Sequence, residues 1–167
     1  MDKLDNLLIL NRLKEKFEDQ IVTIGEPHEL LTIRVSKTLI TDVLEFVKND
    51  EILRFNYLTD ITAVHYPNTE EEFAVVYHVH NMFQNVRLRI KVFLSGVSPE
   101  IPTATTVWKG ANWMERETYD FYGINFIGHP DLRRILNMDE LDVFPMRKEY
   151  PLEDPNRVDK KDFYFGR

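Results

Sequence analysis

The chain has 167 residues, 43% hydrophobic and 29% charged, with a net charge of -7 and no cysteine. That is the balance of one soluble globular domain, large enough to bury about 70% of the surface its unfolded chain exposes. The missing thiols exclude disulfide scaffolds, thiolate zinc sites, Cys-held iron–sulfur clusters and cysteine nucleophiles, and the acidic balance argues against nucleic acid or anionic lipid as a partner of the whole surface.

No apolar run reaches the roughly 18 residues of a membrane span. The opening Met1-Asp2-Lys3-Leu4-Asp5 is acidic and has neither a secretory apolar core nor an Arg-rich transit character, so the chain is expected to stay where it is made. From Asp2 to Glu18, Leu4, Leu7, Leu8, Leu10, Leu13 and Phe17 recur at helical spacing between charges, which predicts an amphipathic helix. Gly25-Glu26-Pro27 breaks it off. Leu30 to Val35 alternates as a strand, and Ser36 is placed to cap a helix running through Lys48. Three strands follow, over Asn56–Tyr66, Glu72–Met82 and Val86–Leu94, with Asn81–Asn85 as a hairpin turn. The last of these sets Val86, Leu88, Ile90, Val92 and Leu94 against Arg87, Arg89 and Lys91, so one sheet face is expected to be wet or covered by a polar partner surface. A helix is predicted over Thr105–Tyr122, with Gly123 as its C-cap. From Asp139 to Arg167 no period survives. Pro145, Pro151 and Pro155 punctuate the stretch, yet Phe144, Tyr150, Phe163, Tyr164 and Phe165 are too aromatic for a disordered tail. The reading is an α+β fold: a small, mostly antiparallel sheet with helices packed on one face over residues 1–138, and an extended C-terminal arm over 139–167, ordered only against another protein.

The residues offer few candidates for chemistry. His78 and His80 share a strand face and could hold a metal if His65 on the neighbouring strand were the third ligand; two polar residues on a wet face is the simpler account. Glu115, Glu117 and Asp120 crowd one helix with Arg116. Paired carboxylates suit acid–base work, but an Arg116–Asp120 surface pair at i, i+4 explains them with less. Trp113, Met114, Tyr119, Phe121 and Tyr122 around them suggest a packed interface with fixed ion pairs. Ser36, Ser95 and Ser98 lack the glycines of a nucleophile elbow, and six glycines in all supply no phosphate-cradling loop. Arg133 and Arg134, after His129-Pro130, suit a carboxylate or phosphate clamp or, preferably, an anchor to an acidic partner surface.

The stretch from Ala111 to Leu136 strongly resembles the signature of the 30-kDa subunit family of respiratory complex I, the NADH–quinone oxidoreductase of bacteria. Glu115-Arg116-Glu117, Asp120, Gly123, His129-Pro130 and Arg133-Arg134-Ile135-Leu136 fall in that family's spacing. Pro145-Met146-Arg147-Lys148-Glu149-Tyr150-Pro151 resembles its later Pro-Leu-Arg-Lys-Asp-Tyr-Pro, with Met146 in place of the usual Leu. The resemblance implies a cofactor-free, non-catalytic subunit of the hydrophilic arm of a proton-pumping NADH:quinone oxidoreductase, in which the arm drapes over the 49-kDa-type, quinone-pocket subunit. NADH, FMN, iron–sulfur clusters and quinone would belong to the assembled complex, and membrane contact would come only through it. The implied place is peripheral, on the cytoplasmic side of the inner membrane or its organellar equivalent. The residues expected at the partner interface are Trp113, Glu115, Arg116, Glu117, Asp120, His129, Arg133, Arg134, Arg147 and Tyr150; none is expected to be catalytic, cofactor-binding or metal-ligating. Related subunits of membrane-bound hydrogenases or plastoquinone-reducing complexes are the alternative reading, and a stand-alone metal enzyme built on His78 and His80 a more remote one.

Overall fold

Asp5 begins the first helix. Its carboxylate accepts the Leu8 N–H at 2.8 Å, satisfying one of the donors a helix start leaves open, and α1 runs from Asn6 to Phe17. A computed structural model describes residues 4–96 and 98–151. The helix buries Ile9, Leu13 and Phe17 as the leucine spacing requires. After a short helical turn comes β1 (Val22–Gly25), which no sequence pattern announces. Its Val22, Thr23 and Ile24 are all exposed, so no alternation betrays it; antiparallel pairing to β2 (Thr32–Arg34) is what makes it a strand.

Ser36 does not cap the next helix. Its hydroxyl meets that of Thr38 and its carbonyl accepts the Leu39 N–H, so a separate turn forms first and α2 spans Ile40–Asn49. Ile40, Val43, Leu44 and Val47 face the core, and Phe17 meets Phe46 edge-on at 5.5 Å, locking α1 to α2. The three long strands, β3 (Tyr57–His65), β4 (Phe73–Asn81) and β5 (Val86–Leu94), fall within a residue of their expected bounds. Asn81 builds the hairpin turn between the last two: its Oδ1 accepts the Phe83 and Gln84 N–H groups while its Nδ2 donates to the Leu53 carbonyl.

The sheet order is β1-β2-β5-β4-β3, antiparallel except where β2 runs parallel to β5. Phe73, Val75, Tyr77 and Val79 of β4 line up with Leu88, Ile90, Val92 and Leu94 of β5 on the face that packs against α1 and α2. This is the α+β architecture, mostly antiparallel, that the sequence predicts.

The predicted helix from Thr105 starts later. Residues 104–110 make separate turns, with the Ala104 carbonyl accepting from both Val107 and Trp108, and α3 spans Ala111–Tyr122. It lies against the edge strand β3, where the Thr118 hydroxyl is bonded to the Ile61 carbonyl at 3.3 Å, so one sheet edge is covered. Gly123 takes the left-handed conformation (φ 72°) and ends the helix as expected. Two three-residue strands flank α3 unannounced: β6 (Glu100–Pro102) and β7 (Asn125–Ile127) pair in parallel.

Residues 139–151, expected to be extended, are a series of turns laid back on the chain itself. Met146 N–H donates to the Phe121 carbonyl at 3.1 Å, Arg147 Nε to the Tyr122 carbonyl at 2.7 Å and Lys148 N–H to His65 Nδ1 at 2.9 Å. The remainder of the predicted arm, 152–167, including Pro155 and the Phe163–Phe165 aromatics, lies outside the described residues.

Candidate functional site

Helix α3 carries the densest set of buried charges. Glu115, Asp120 and Arg116 are buried at 0%, 0% and 7% exposure, though a helix with charges on several faces ordinarily turns them to water. The expected Arg116–Asp120 pair is not formed; a buried position at i, i+4 offers neither group enough partners, and each finds several elsewhere.

Asp120 sits at the centre. One oxygen accepts the backbone N–H groups of Ile135, Leu136 and Asn137 at 3.1, 2.8 and 2.9 Å. The other takes Arg134 Nη1 at 2.8 Å and Asn137 Nδ2 at 3.1 Å. Burial alone would raise its pKa; the donors from Asn137, Leu136 and Arg134 overcome that and hold the carboxyl well below the usual carboxylate range. Arg134, expected as an anchor to a partner, is turned inward: besides the Asp120 carboxylate it donates to the carbonyls of Asp120, Leu141 and Val143. Arg116 does the same work from the other side, donating to the carbonyls of Arg133 and Arg134 at 3.1 and 2.9 Å. Together they clamp residues 133–143 onto α3.

Glu115 ties α3 to the segment before it. Its carboxylate accepts the Thr103 hydroxyl and the Ala104 N–H, each at 2.5 Å. Burial pushes its pKa up to about 7, with those two donors opposing. His129 Nε2 lies 4.0 Å away, with both side chains fully buried. The histidine's Nδ1 accepts the Asp131 N–H at 3.0 Å, and its Nε2 lies 3.1 Å from the Asn112 carbonyl. Neighbouring Tyr77 is buried, and its hydroxyl has no hydrogen-bond partner among the described residues.

A run of cations and rings completes the site. Arg134 and Arg147 lie 5.1 and 4.9 Å from the Phe144 ring centre, Arg147 is 5.0 Å from Phe73, and Phe73 stacks on His65 at 4.6 Å. Phe144, Thr103, Asn137 and His65 carry no sequence signal for these roles. They lie far along the chain from the groups they meet, and no local pattern marks them.

Of the ten predicted interface residues, Glu115, Arg116, Asp120, His129, Arg134 and Arg147 thus meet within this network. Trp113, Glu117, Arg133 and Tyr150 face solvent, Trp113 at 61% exposure and the Arg133 side chain at 69% beside Asp131. Large apolar side chains emerge from the same clamped segment: Leu136 is 65% and Met138 71% exposed.

The histidines do not assemble a metal site. His78 stands opposite Arg89 and Asp60, with Arg89 Nε donating to its Nε2 at 2.9 Å, whereas His65 stands opposite Phe73. No three His, Asp or Glu side chains gather at metal-binding distance among the described residues. Nor does any helix among them have the length and apolarity to cross a membrane.

Residues 33–156 match the model of the family described as respiratory-chain NADH dehydrogenase, 30 Kd subunit. The chain is 41% identical over 156 residues to the C subunit of NADH-quinone oxidoreductase from Geotalea uraniireducens, spanning 93% of this chain and 94% of that one. It is 41% identical over 146 residues to the same subunit from Citrifermentans bemidjiense, covering 87% and 89%. A solved trypsin-resistant fragment of Nqo5 superposes with a TM-score of 0.59 at 30% identity, covering 72% of this chain and 99% of the fragment. A chain of the membrane-bound sulfane sulfur reductase, an archaeal respiratory membrane complex, shares the fold at a TM-score of 0.76 and 23% identity, covering 92% of this chain and 95% of that one.

Proposed function

The chain belongs to the family of the 30-kDa subunit of respiratory-chain NADH dehydrogenase, and on that footing we propose that it is a scaffold of NADH–quinone oxidoreductase that holds the quinone-pocket subunit in register with the electron path. It carries no electrons itself; NADH, FMN, iron–sulfur clusters and quinone belong to neighbouring chains. Its place is peripheral, on the cytoplasmic side of the membrane complex.

One observation carries this reading. The buried charges of α3, Glu115, Arg116 and Asp120, which in an enzyme would converge on a cavity, are instead committed to the Thr103 hydroxyl, the Ala104 N–H and backbone groups of residues 133–137. They make a rigid surface from which Trp113, Leu136 and Met138 project. Exposed large apolar side chains on a stiff frame are what a stable partner covers, since little entropy is lost on docking. The sequence of 152–167 supplies three further aromatic side chains, Phe163, Tyr164 and Phe165, as anchors for the same partner.

The test is assembly. A tagged Trp113→Ala, Met138→Ala chain and one ending at Pro151 are each supplied to cells lacking the native subunit, and the complex is isolated from mildly solubilised membranes. Both variants are expected to recover at least tenfold less of the quinone-pocket subunit while remaining folded. Full recovery with lost quinone reduction would replace the scaffold reading with a catalytic one. The identities of the co-purifying chains also separate this complex from hydrogenase or plastoquinone-reducing relatives.

A further inference from the structure

The outward face of the sheet is basic on a chain whose net charge is -7. Arg87, Arg89 and Lys91 alternate along β5 with the buried Leu88 and Ile90, and β5 is an interior strand of the sheet. Strand residues two apart repeat at about 6.8 Å, so the three cations form a straight row of about 14 Å. Arg34 of β2 stands beside Lys91 in the parallel register and extends the row sideways. Opposite them on β4 are Val76, His78 and His80, and on β3 the outward acid is Asp60.

Like charges at this spacing on one face repel, and Lys is depleted in strands. Internal partners do not resolve the cost. Arg89 Nε donates to His78 Nε2 at 2.9 Å, an uncharged acceptor atom, and burial and then Arg89 lower the imidazole's pKa. Asp60 lies 3.7 Å from His78. Arg34 pairs with Glu71 at 2.7 Å at the margin of the face. Among the described residues no carboxylate comes within 4 Å of Arg87, Arg89 or Lys91, although Asp5 and Glu29 line the same cleft as Arg87 and Arg89.

We propose that this face docks an extended acidic segment of a partner protein, with carboxylates at alternate positions. The two periods match: an extended strand with Asp or Glu at every second residue presents carboxylates at the same ~6.8 Å repeat as the cations of β5. The occupant is a peptide segment rather than a nucleic acid or a lipid surface. A polyanion larger than the row would overrun it and meet the acidic remainder of the molecule within a Debye length of about 8 Å. The face lies on the third strand in from α3, and its occupancy does not depend on the scaffold reading.

The probe is a fluorescent ten-residue peptide alternating Glu and Thr, titrated with the full chain at about 20 mM and about 300 mM salt and followed by anisotropy. Saturable binding at low salt is expected, weakened at least tenfold at high salt. Arg87→Gln with Lys91→Gln should weaken it at least tenfold, while Lys14→Gln with Lys16→Gln on α1 should change it less than twofold. An isomeric peptide with its five Glu in one block should bind at least threefold less well. Absence of binding, indifference to the β5 substitutions, or equal binding of the block peptide overturns the proposal. So does tighter binding of phosphatidylglycerol vesicles or of a single-stranded oligonucleotide. Melting temperatures within about 2 °C of the parent confirm that the glutamine variants are folded.

Discussion

Asp120 and Glu115 sit five residues apart on one helix, equally buried, and their environments drive them in opposite directions. Asp120 is surrounded by donors to its ionised form, Glu115 by fewer donors and apolar neighbours. Replacing Asp120 by Asn leaves Arg134 buried without its counter-charge and turns an amide N–H₂ toward backbone donors. A loss of about 3–5 kcal/mol is expected, read as a melting temperature roughly 6–20 °C lower. Because its folded pKa lies below the unfolded one, the stability it contributes is present above about pH 4 and is lost as pH falls further. Glu115 has the reverse sign. Below 4.5 both folded and unfolded chains keep the proton; between 4.5 and about 7 the unfolded chain releases it while the folded chain retains it, so stability declines as pH rises, and above 7 the loss is complete. Glu115→Gln cannot titrate. Urea unfolding at pH 5 and pH 8 should therefore show the variant gaining about 3 kcal/mol on the parent between the two; parallel pH profiles would refute the assignment.

At the scale of the element, α3 depends on how it stops. Gly123 holds a left-handed φ of 72°, and a Cβ there would strike the Phe144 ring and come within 2.8 Å of Arg147 Nη2. Gly123→Ala should cost about 2–4 kcal/mol by chemical denaturation, combining backbone strain with displacement of the ring. The steric part is separable: in Gly123→Ala, Phe144→Ala the two losses should fall short of additive by at least about 0.5 kcal/mol. Strict additivity would mean that the glycine serves backbone conformation alone. The same element shows where pattern reading stops. The C-cap was legible because glycine after a helical run has one common use. The helix start at Ala111 was not, because residues 104–110 form separate turns, anchored at Ala104 by Glu115 from within the following helix. Likewise Ser36 has the composition of a cap and the geometry of a turn, and only its neighbour Thr38 distinguishes the two.

Over the whole molecule, residues 139–151 belong to the packing of the domain. A chain ended after Met138 loses the ring of Phe144, the Arg147 bond to Tyr122 and the Lys148 bond to His65. Its melting temperature should fall by at least about 5 °C in calorimetry; an unchanged value would show that this segment only rests on the surface. The sequence by itself determined the three long strands, the leucine face of α1, the basic row of β5, the stop at Gly123 and the family. All of these are written in residues that lie near one another in the chain, where period and spacing are visible. Tertiary structure alone decided that Asp120 pairs with Arg134 rather than Arg116, that β1, β6 and β7 exist, and that the chain folds back after 139. Those outcomes turn on which distant groups can satisfy a buried charge or an unpaired strand edge. That is settled by three-dimensional proximity and the cost of leaving a polar group unpaired, neither of which has a period along the chain.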